Sequence, residues 1–308
     1  MHLFAPPAVI ETEIFARLPD RFRRKGVRPE WALVNRAHAP ELDCFLEGPS
    51  FDRDGNLYVV DIPYGRIFRV SPEAEFDLVA EYDGEPNGLK IHRDGRILIA
   101  DYKNGIMRLD PASGAVTPWC DRFRLERFKG CNDLVFAGNG DLYFTDQGQT
   151  GHQDPTGRVF RLGADGRLDC LIDKVPSPNG IVLDNNERIL YVAVTRANAV
   201  WRLPLMPDGG VSKVGTFIQL SGGAGPDGMA MTDENGLVVT HAGLGAVWIF
   251  DRLGQPLYRV NSCTGPFITN VAFGGADRRE LYITDSGSGC ILRAQLPLAG
   301  RALFSHSG

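Results

Sequence analysis

Short apolar runs alternate along this chain with polar turns rich in Asp, Asn and Gly, and the alternation recurs about every 45 residues. Six stretches superimpose: EGPSFDRDGNLYVVD from Glu47, EPNGLKIHRDGRILIAD from Glu85, CNDLVFAGNGDLYFTD from Cys131, SPNGIVLDNNERILYVAV from Ser177, GPDGMAMTDENGLVVTH from Gly225 and ITNVAFGGADRRELYITD from Ile268. Each reads as strand, turn, strand. Most continue into a third strand (GRIFRV, NGIMRLD, GRVFRL, NAVWRL, GAVWIFD, GCILRAQL), and several into a fourth, such as FDLVAEY and LDCLID. A sheet of this kind cannot bury both faces alone, whereas a ring of six buries them and leaves only short edges. The pattern therefore predicts an all-β fold, a six-bladed β-propeller with four-stranded antiparallel blades. Helical periodicity is scarce, which argues against an α/β fold, and a sandwich would not repeat one unit six times in register.

The segment TEIFARLP resembles a fourth strand rather than a first, and the last unit has only a weak fourth strand near Ala302–Ser305. Residues 12–18 are therefore expected to complete the final blade and close the ring. Residues 20–46 are expected to form an irregular lead-in, and residues 1–308 a single propeller domain.

Composition narrows the function classes. Of the 308 residues 43% are hydrophobic, enough for a sizeable core, and the 23% that are charged are mixed in sign with a net charge of −5. No basic footprint for nucleic acid is present, and no apolar run approaches a membrane span. The first residues lack the basic and apolar regions of a secretory signal. The cysteines Cys44, Cys120, Cys131, Cys170, Cys263 and Cys290 form no C-x-x-C pair and read as reduced thiols, so a cytoplasmic location is expected. Oligomeric state is left open.

In register, the first strands begin at Glu47, Asn87, Asn132, Asn179, Asp227 and Asn270, separated by 40, 45, 47, 48 and 43 residues. First strands line the central channel of a propeller, so these positions converge on one mouth. Two carboxylates and four carboxamides there form an oxygen set suited to a hard divalent cation. Asn-Gly and Asp-Gly pairs also make turns, and any one position alone reads that way; six together read as a site.

Second strands end at Asp61, Asp101, Asp146, Val194–Thr195, His241 and Asp285. Aspartates there are expected to brace the following turn. His241 breaks the series, either as a proton shuttle, a substrate contact or a tolerated polar residue. Arg196 is placed to hold a substrate carboxylate or hydroxyl, or faces solvent. The excursion Gln147–Gly157, with His152, is expected to overlie the mouth as a lid or specificity loop. The remaining histidines, His2, His38, His92 and His306, show no constellation. There is no G-x-S-x-G, H-E-x-x-H or Walker A motif.

With E-G-P at Glu47–Pro49, N-D-L at Asn132–Leu134, DLYFTD at Asp141–Asp146, P-N-G at Pro178–Gly180 and P-D-G at Pro226–Gly228, the chain resembles the regucalcin and gluconolactonase (senescence marker protein-like) family. Diisopropylfluorophosphatase is a more distant relative. The resemblance runs from about Glu47 to Leu296. It implies one bound divalent metal ion: calcium first, with magnesium, manganese, zinc or iron as alternatives. Glu47, Asn179 and Asp227 would be ligands, and Asn132 would bind metal or metal-bound substrate. Regucalcin-like members often carry Arg two residues before that Asn, where this chain has Gly130, a departure that bears on sugar-lactone specificity. The function expected is metal-dependent hydrolysis of a small lactone, with Asp227 as general base and Asn87, Asn132, Asn270, His241 and Arg196 as substrate contacts. Phosphoester or organophosphate hydrolysis at the same site and a non-catalytic calcium-binding or scaffold propeller are the alternatives.

Overall fold

In the computed structural model, which describes residues 6–35 and 41–306, each repeat folds as a blade whose first strand faces the axis. Those first strands are Leu46–Phe51, Pro86–Ile91, Cys131–Phe136, Pro178–Leu183, Gly225–Met231 and Ile268–Gly274. They contact one another in sequence order, and the last returns to the first. Three further antiparallel strands follow outward in each blade, with a small separate ribbon at Arg122–Phe123 and Glu126–Arg127. The expected six-bladed propeller is what forms.

The alternating pattern has its physical counterpart between the blades. Six apolar clusters fill the six blade interfaces, and Phe68, Phe144 and Phe160 are fully buried in them. Each such ring contributes roughly 1.5–3 kcal/mol by leaving water.

Closure follows the sequence expectation. Glu13–Arg17 pairs antiparallel with Cys290–Gln295 as the outer strand of the sixth blade. The segment just before it does something the pattern did not reveal: Ala8–Glu11 adds in parallel to Pro256–Asn261 of the fifth blade. The N-terminal stretch thus staples two blades. The lead-in expected to be irregular contains a 3-10 turn, Asp20–Phe22, and a short α-helix, Glu30–Asn35. Its residues 36–40, including His38, lie outside the described residues, as does His2. Ala302–Ser305 forms no strand. Instead, the C-terminal segment crosses the far end of the channel: the Arg301 amide donates to Met231 O, Phe304 stacks on Phe136, and Ser305 Oγ donates to Phe51 O. Among the described residues no helix is long and apolar enough to cross a membrane.

Four strand-ending aspartates are buried pins. Asp61 accepts the Phe45 amide and Arg66, Asp101 the Glu85 amide and Tyr82, Asp146 the Gly130 amide and Arg158, and Asp285 the Gly287 and Ser288 amides. They brace turns and chain crossings, as expected, and thereby hold the mouth in shape.

Candidate functional site

The six channel positions come together through a local irregularity repeated in every blade. Pairing between first and second strands slips at Glu47/Ser50, Pro86/Gly88, Cys131/Leu134, Pro178/Ile181, Pro226/Met229 and Ile268/Asn270. A β-bulge at each site residue re-aims its side chain. The glycine after the site residue is explained by the same packing. A Cβ on Gly48 would lie 2.6 Å from Asn87 O, on Gly88 2.7 Å from Asn132 O, on Gly180 2.2 Å from Asp227 O, and on Gly228 2.0 Å from Asn270 Oδ1. At these four positions the next first strand approaches too closely for a side chain. The Asn-Gly and Asp-Gly pairs lie within strands, so close approach rather than turn formation accounts for them.

Five ring residues, Glu47, Asn87, Asn132, Asn179 and Asn270, are buried, and Asp227 alone is partly exposed. Each carboxylate is steadied by a carboxamide of an adjacent blade. Asn270 Nδ2 donates to Glu47 Oε2 at 2.8 Å, and the Gly48 amide donates to the same oxygen at 2.6 Å. The Asn179 side chain lies close enough to Asp227 to favour its ionised form. Asn270, expected to orient substrate, has its Oδ1 committed to the Val271 amide as well. Asn87 makes no side-chain hydrogen bond among the described residues and remains available to a ligand.

Electrostatics set this cluster apart. Burial pushes the Glu47 carboxyl up to about 7, with the charge of Asp133 adding to the rise. Burial raises Asp227 well above the usual carboxylate range, and the charges of Glu47 and Asp133 push the same way. Asp133 was overlooked in the sequence because it stands where other repeats have the spacing glycine. It is buried and raised by desolvation, with Lys90 opposing at 3.9 Å. Arg196 is exposed in the 3-10 turn Thr195–Ala197, close enough for its charge to favour ionised Asp227.

Among the described residues no group of three or more His, Cys, Asp or Glu is arranged to hold a metal. A cation here would rest on two carboxylates, Glu47 and Asp227, and on carboxamide oxygens. The donor set fits a hard divalent cation, because burial raises both acids and the charges of Glu47 and Asp133 raise Asp227 further, and a cation offsets both effects. Asn132 suits this role. Its Nδ2 donates to Gln147 Oε1 at 2.9 Å, Gln147 Nε2 reaches Ser177 Oγ at 2.9 Å, and Asn132 Oδ1 stays unbonded among the described residues. Gln147, read in the sequence only as the start of a loop, is thus the residue that orients Asn132.

The loop it begins is pinned rather than loose. Gln149 Nε2 donates to Tyr102 Oη at 2.6 Å and to Asn35 Oδ1 at 2.8 Å, joining blades two and three to the short helix. The Tyr102 ring packs over Gly130, where a Cβ would come within 2.7–2.8 Å of ring carbons. An aromatic wall therefore stands at the position of the departure from the arginine pattern. His152 is exposed on the loop. His241 is turned away from ligand work: Trp248 Nε1 donates to its Nδ1 at 3.3 Å, so Nε2–H donates to Gly222 O at 2.9 Å. The ring is 1% exposed, and burial, with the charge of Arg259 adding to it, lowers its pKa. It fills the bracing place that aspartate fills in four other blades.

Residues 45–287 match the family described as SMP-30/Gluconolactonase/LRE-like region. The chain belongs to this family. Lactonase drp35 of Staphylococcus aureus is 30% identical over 235 residues, covering 70% of this chain and 69% of the relative. Among solved structures, a gluconolactonase from Xanthomonas campestris superposes with a TM-score of 0.73 at 23% identity, over 88% of this chain and 96% of that one. A calcium-binding regucalcin from Agrobacterium tumefaciens gives 0.74 at 21% identity, over 97% and 98%. At these identities the two structures bear on the fold, and the family match carries the relationship.

Proposed function

We propose that this chain hydrolyses a lactone at the channel mouth with one bound divalent cation, calcium foremost, held by Glu47, Asn179, Asp227 and the free oxygen of Asn132. The observation that carries the reading is the pair of raised carboxyls, buried Glu47 and partly exposed Asp227, ringed by carboxamides. Family membership and the lactonase relative support the choice of lactones.

When bound, the cation supplies Lewis-acid polarisation of the ester carbonyl. The protein's own groups do the rest. Asp227, the partly exposed member of the ring, takes a proton from the attacking water as the water oxygen bonds to the acyl carbon. The acyl C–O bond of the ring breaks, and the proton passes to the departing ring oxygen, leaving a hydroxy acid. Asn270 and Asn179 keep the two carboxylates aimed, Asn87 and Arg196 meet the polar parts of the substrate, and the Tyr102 wall packs against its ring. His241 takes no part. The six free cysteines support a cytoplasmic location.

A pH-stat screen of lactones beside phosphoesters and fluorophosphates tests this, on protein stripped with EDTA and reloaded with calcium, magnesium, manganese or zinc. The expected result is acid release from at least one lactone, lost on stripping and restored by a divalent ion. Full activity without metal refutes the mechanism. Turnover confined to the phosphorus esters, or cation binding without turnover, refutes the lactone reading.

Gln147→Leu isolates the orienting contact. The change should keep the fold and weaken divalent-cation affinity about 10–100-fold, the usual effect of losing a partner that orients a ligand. Titration calorimetry with unchanged far-UV dichroism checks it.

A further inference from the structure

Below the ring of polar residues, the first strands and the C-terminal segment enclose a chamber of about 180 Å³. Every blade contributes to it, through side chains such as Val135, Val182, Met229, Met231 and Val271, and residues 301–305 form its floor. The charges that border it are spent elsewhere. The Lys90 ammonium faces Asp133 at 3.9 Å. Arg301 donates to Leu183 O and Asp184 O at 3.0 Å each and to Glu187 at 2.6 Å. What faces the space is predominantly aliphatic and aromatic, with two adaptable methionines. Water settles in a cavity only where two to four polar partners meet it, whereas an apolar cavity of about 150 Å³ stays dry and accepts benzene.

We infer that this chamber is a binding site for a small uncharged apolar molecule of about benzene size, distinct from the carboxylate site at the mouth. Its lining reaches Pro49 and Val271, close in sequence to Glu47 and Asn270, so a guest sits directly beneath the residues that hold the carboxylates. The rim at Gly138, Glu187 and Arg301 places its opening at the end of the channel opposite the mouth.

The chain has five methionines, which makes methyl labelling selective. Met229 and Met231 line the chamber while packing in the cluster between blades four and five, whereas Met107, in the cluster between blades one and two, does not line it and Met206 is exposed on the outside. Protein carrying ¹³C-methyl methionine is titrated with benzene and, separately, with benzoate. The expected result is a saturable ring-current shift of the Met229 and Met231 methyls with benzene, none at Met107 and Met206, and none at any of the four with benzoate. Ala230→Phe, which fills the chamber, should abolish the shift. Absence of a saturable shift, equal movement of all four methyls, equal binding of benzoate, or an undiminished shift in a folded Ala230→Phe protein each overturns the assignment. Should that variant not fold, the wild-type titrations decide alone. The readout involves no turnover, so it stands apart from the lactone reading.

Discussion

Asp227→Asn is expected to cut lactone turnover by about 10²–10⁴-fold, the contribution of a positioned general base, while making the cation-free protein more stable. Both effects come from the same carboxylate. In the wild type its folded-state pKa lies above the ordinary value because burial disfavours the charge and Glu47 and Asp133 repel it. A raised acid contributes stability that is fully present below its unfolded pKa and is lost as pH rises through the folded pKa. Glu47 behaves alike, losing its contribution as pH climbs from its usual value to about 7. The cation-free wild type should therefore lose thermal stability between about pH 4 and pH 8. Asparagine keeps the shape and carries no charge, so it removes the repulsion that Glu47 and Asp133 exert at this position. In EDTA at pH 8 the variant should melt a few degrees above the wild type, and the gap should narrow as pH falls and close at about pH 4, near the ordinary aspartate value. Saturating divalent cation should reverse the order, since only the wild type gains binding free energy. Activity within tenfold of wild type, or a lower melting temperature in EDTA at pH 8, would refute this account.

The ring at the mouth was legible in the sequence because a propeller repeats its register. Once six turns align, the residue that begins each first strand is fixed, and all six predicted positions lie on first strands with a bulge at each. The division of labour among them was not legible, because it rests on contacts between blades. Asn270 steadies Glu47 across 223 residues of sequence, and nothing local in ITNVAF announces that. His241 looked like a functional break among aspartates. Its role depends on Trp248, seven residues away on the facing strand, which locks it as a neutral brace. Asp133 was hidden by position: it occupies the slot that glycine fills in four of the other repeats, so the alignment drew the eye to Asn132 instead. The helix Glu30–Asn35 has six residues, too few for a helical period to emerge. Gln147 and Gln149 were noted only as loop residues, since polarity in a loop does not say which partners it reaches.

Gly180→Ala should destabilise the protein by about 3 kcal/mol and displace Asp227. The added Cβ would sit 2.2 Å from Asp227 O and 2.9 Å from Gly228 Cα, both backbone atoms of the next blade. Neither can swing aside as a side-chain tip would. Asn179 is held from the other side by Thr145 Oγ1, which donates to its carbonyl at 2.7 Å, so the strand cannot retreat. The two blades must part, and the carboxylate that moves is the one that would complete the proposed cation site. Gly180 does not have a positive φ, so a turn-forming role for Pro178–Gly180 predicts that alanine is tolerated there. Close approach predicts the opposite, and the two differ by several kcal/mol in denaturant unfolding. Gly215→Ala is the control. It lies on an outer strand with nothing within 4 Å of the new methyl, and should be neutral or stabilising by roughly 0.4–1 kcal/mol. Cation titration of both variants completes the comparison: affinity should fall in Gly180→Ala and hold in Gly215→Ala. A Gly180→Ala protein within about 0.5 kcal/mol of wild type, below the ordinary cost of overpacking, would mean that the spacing of the blades at the mouth does not depend on these glycines.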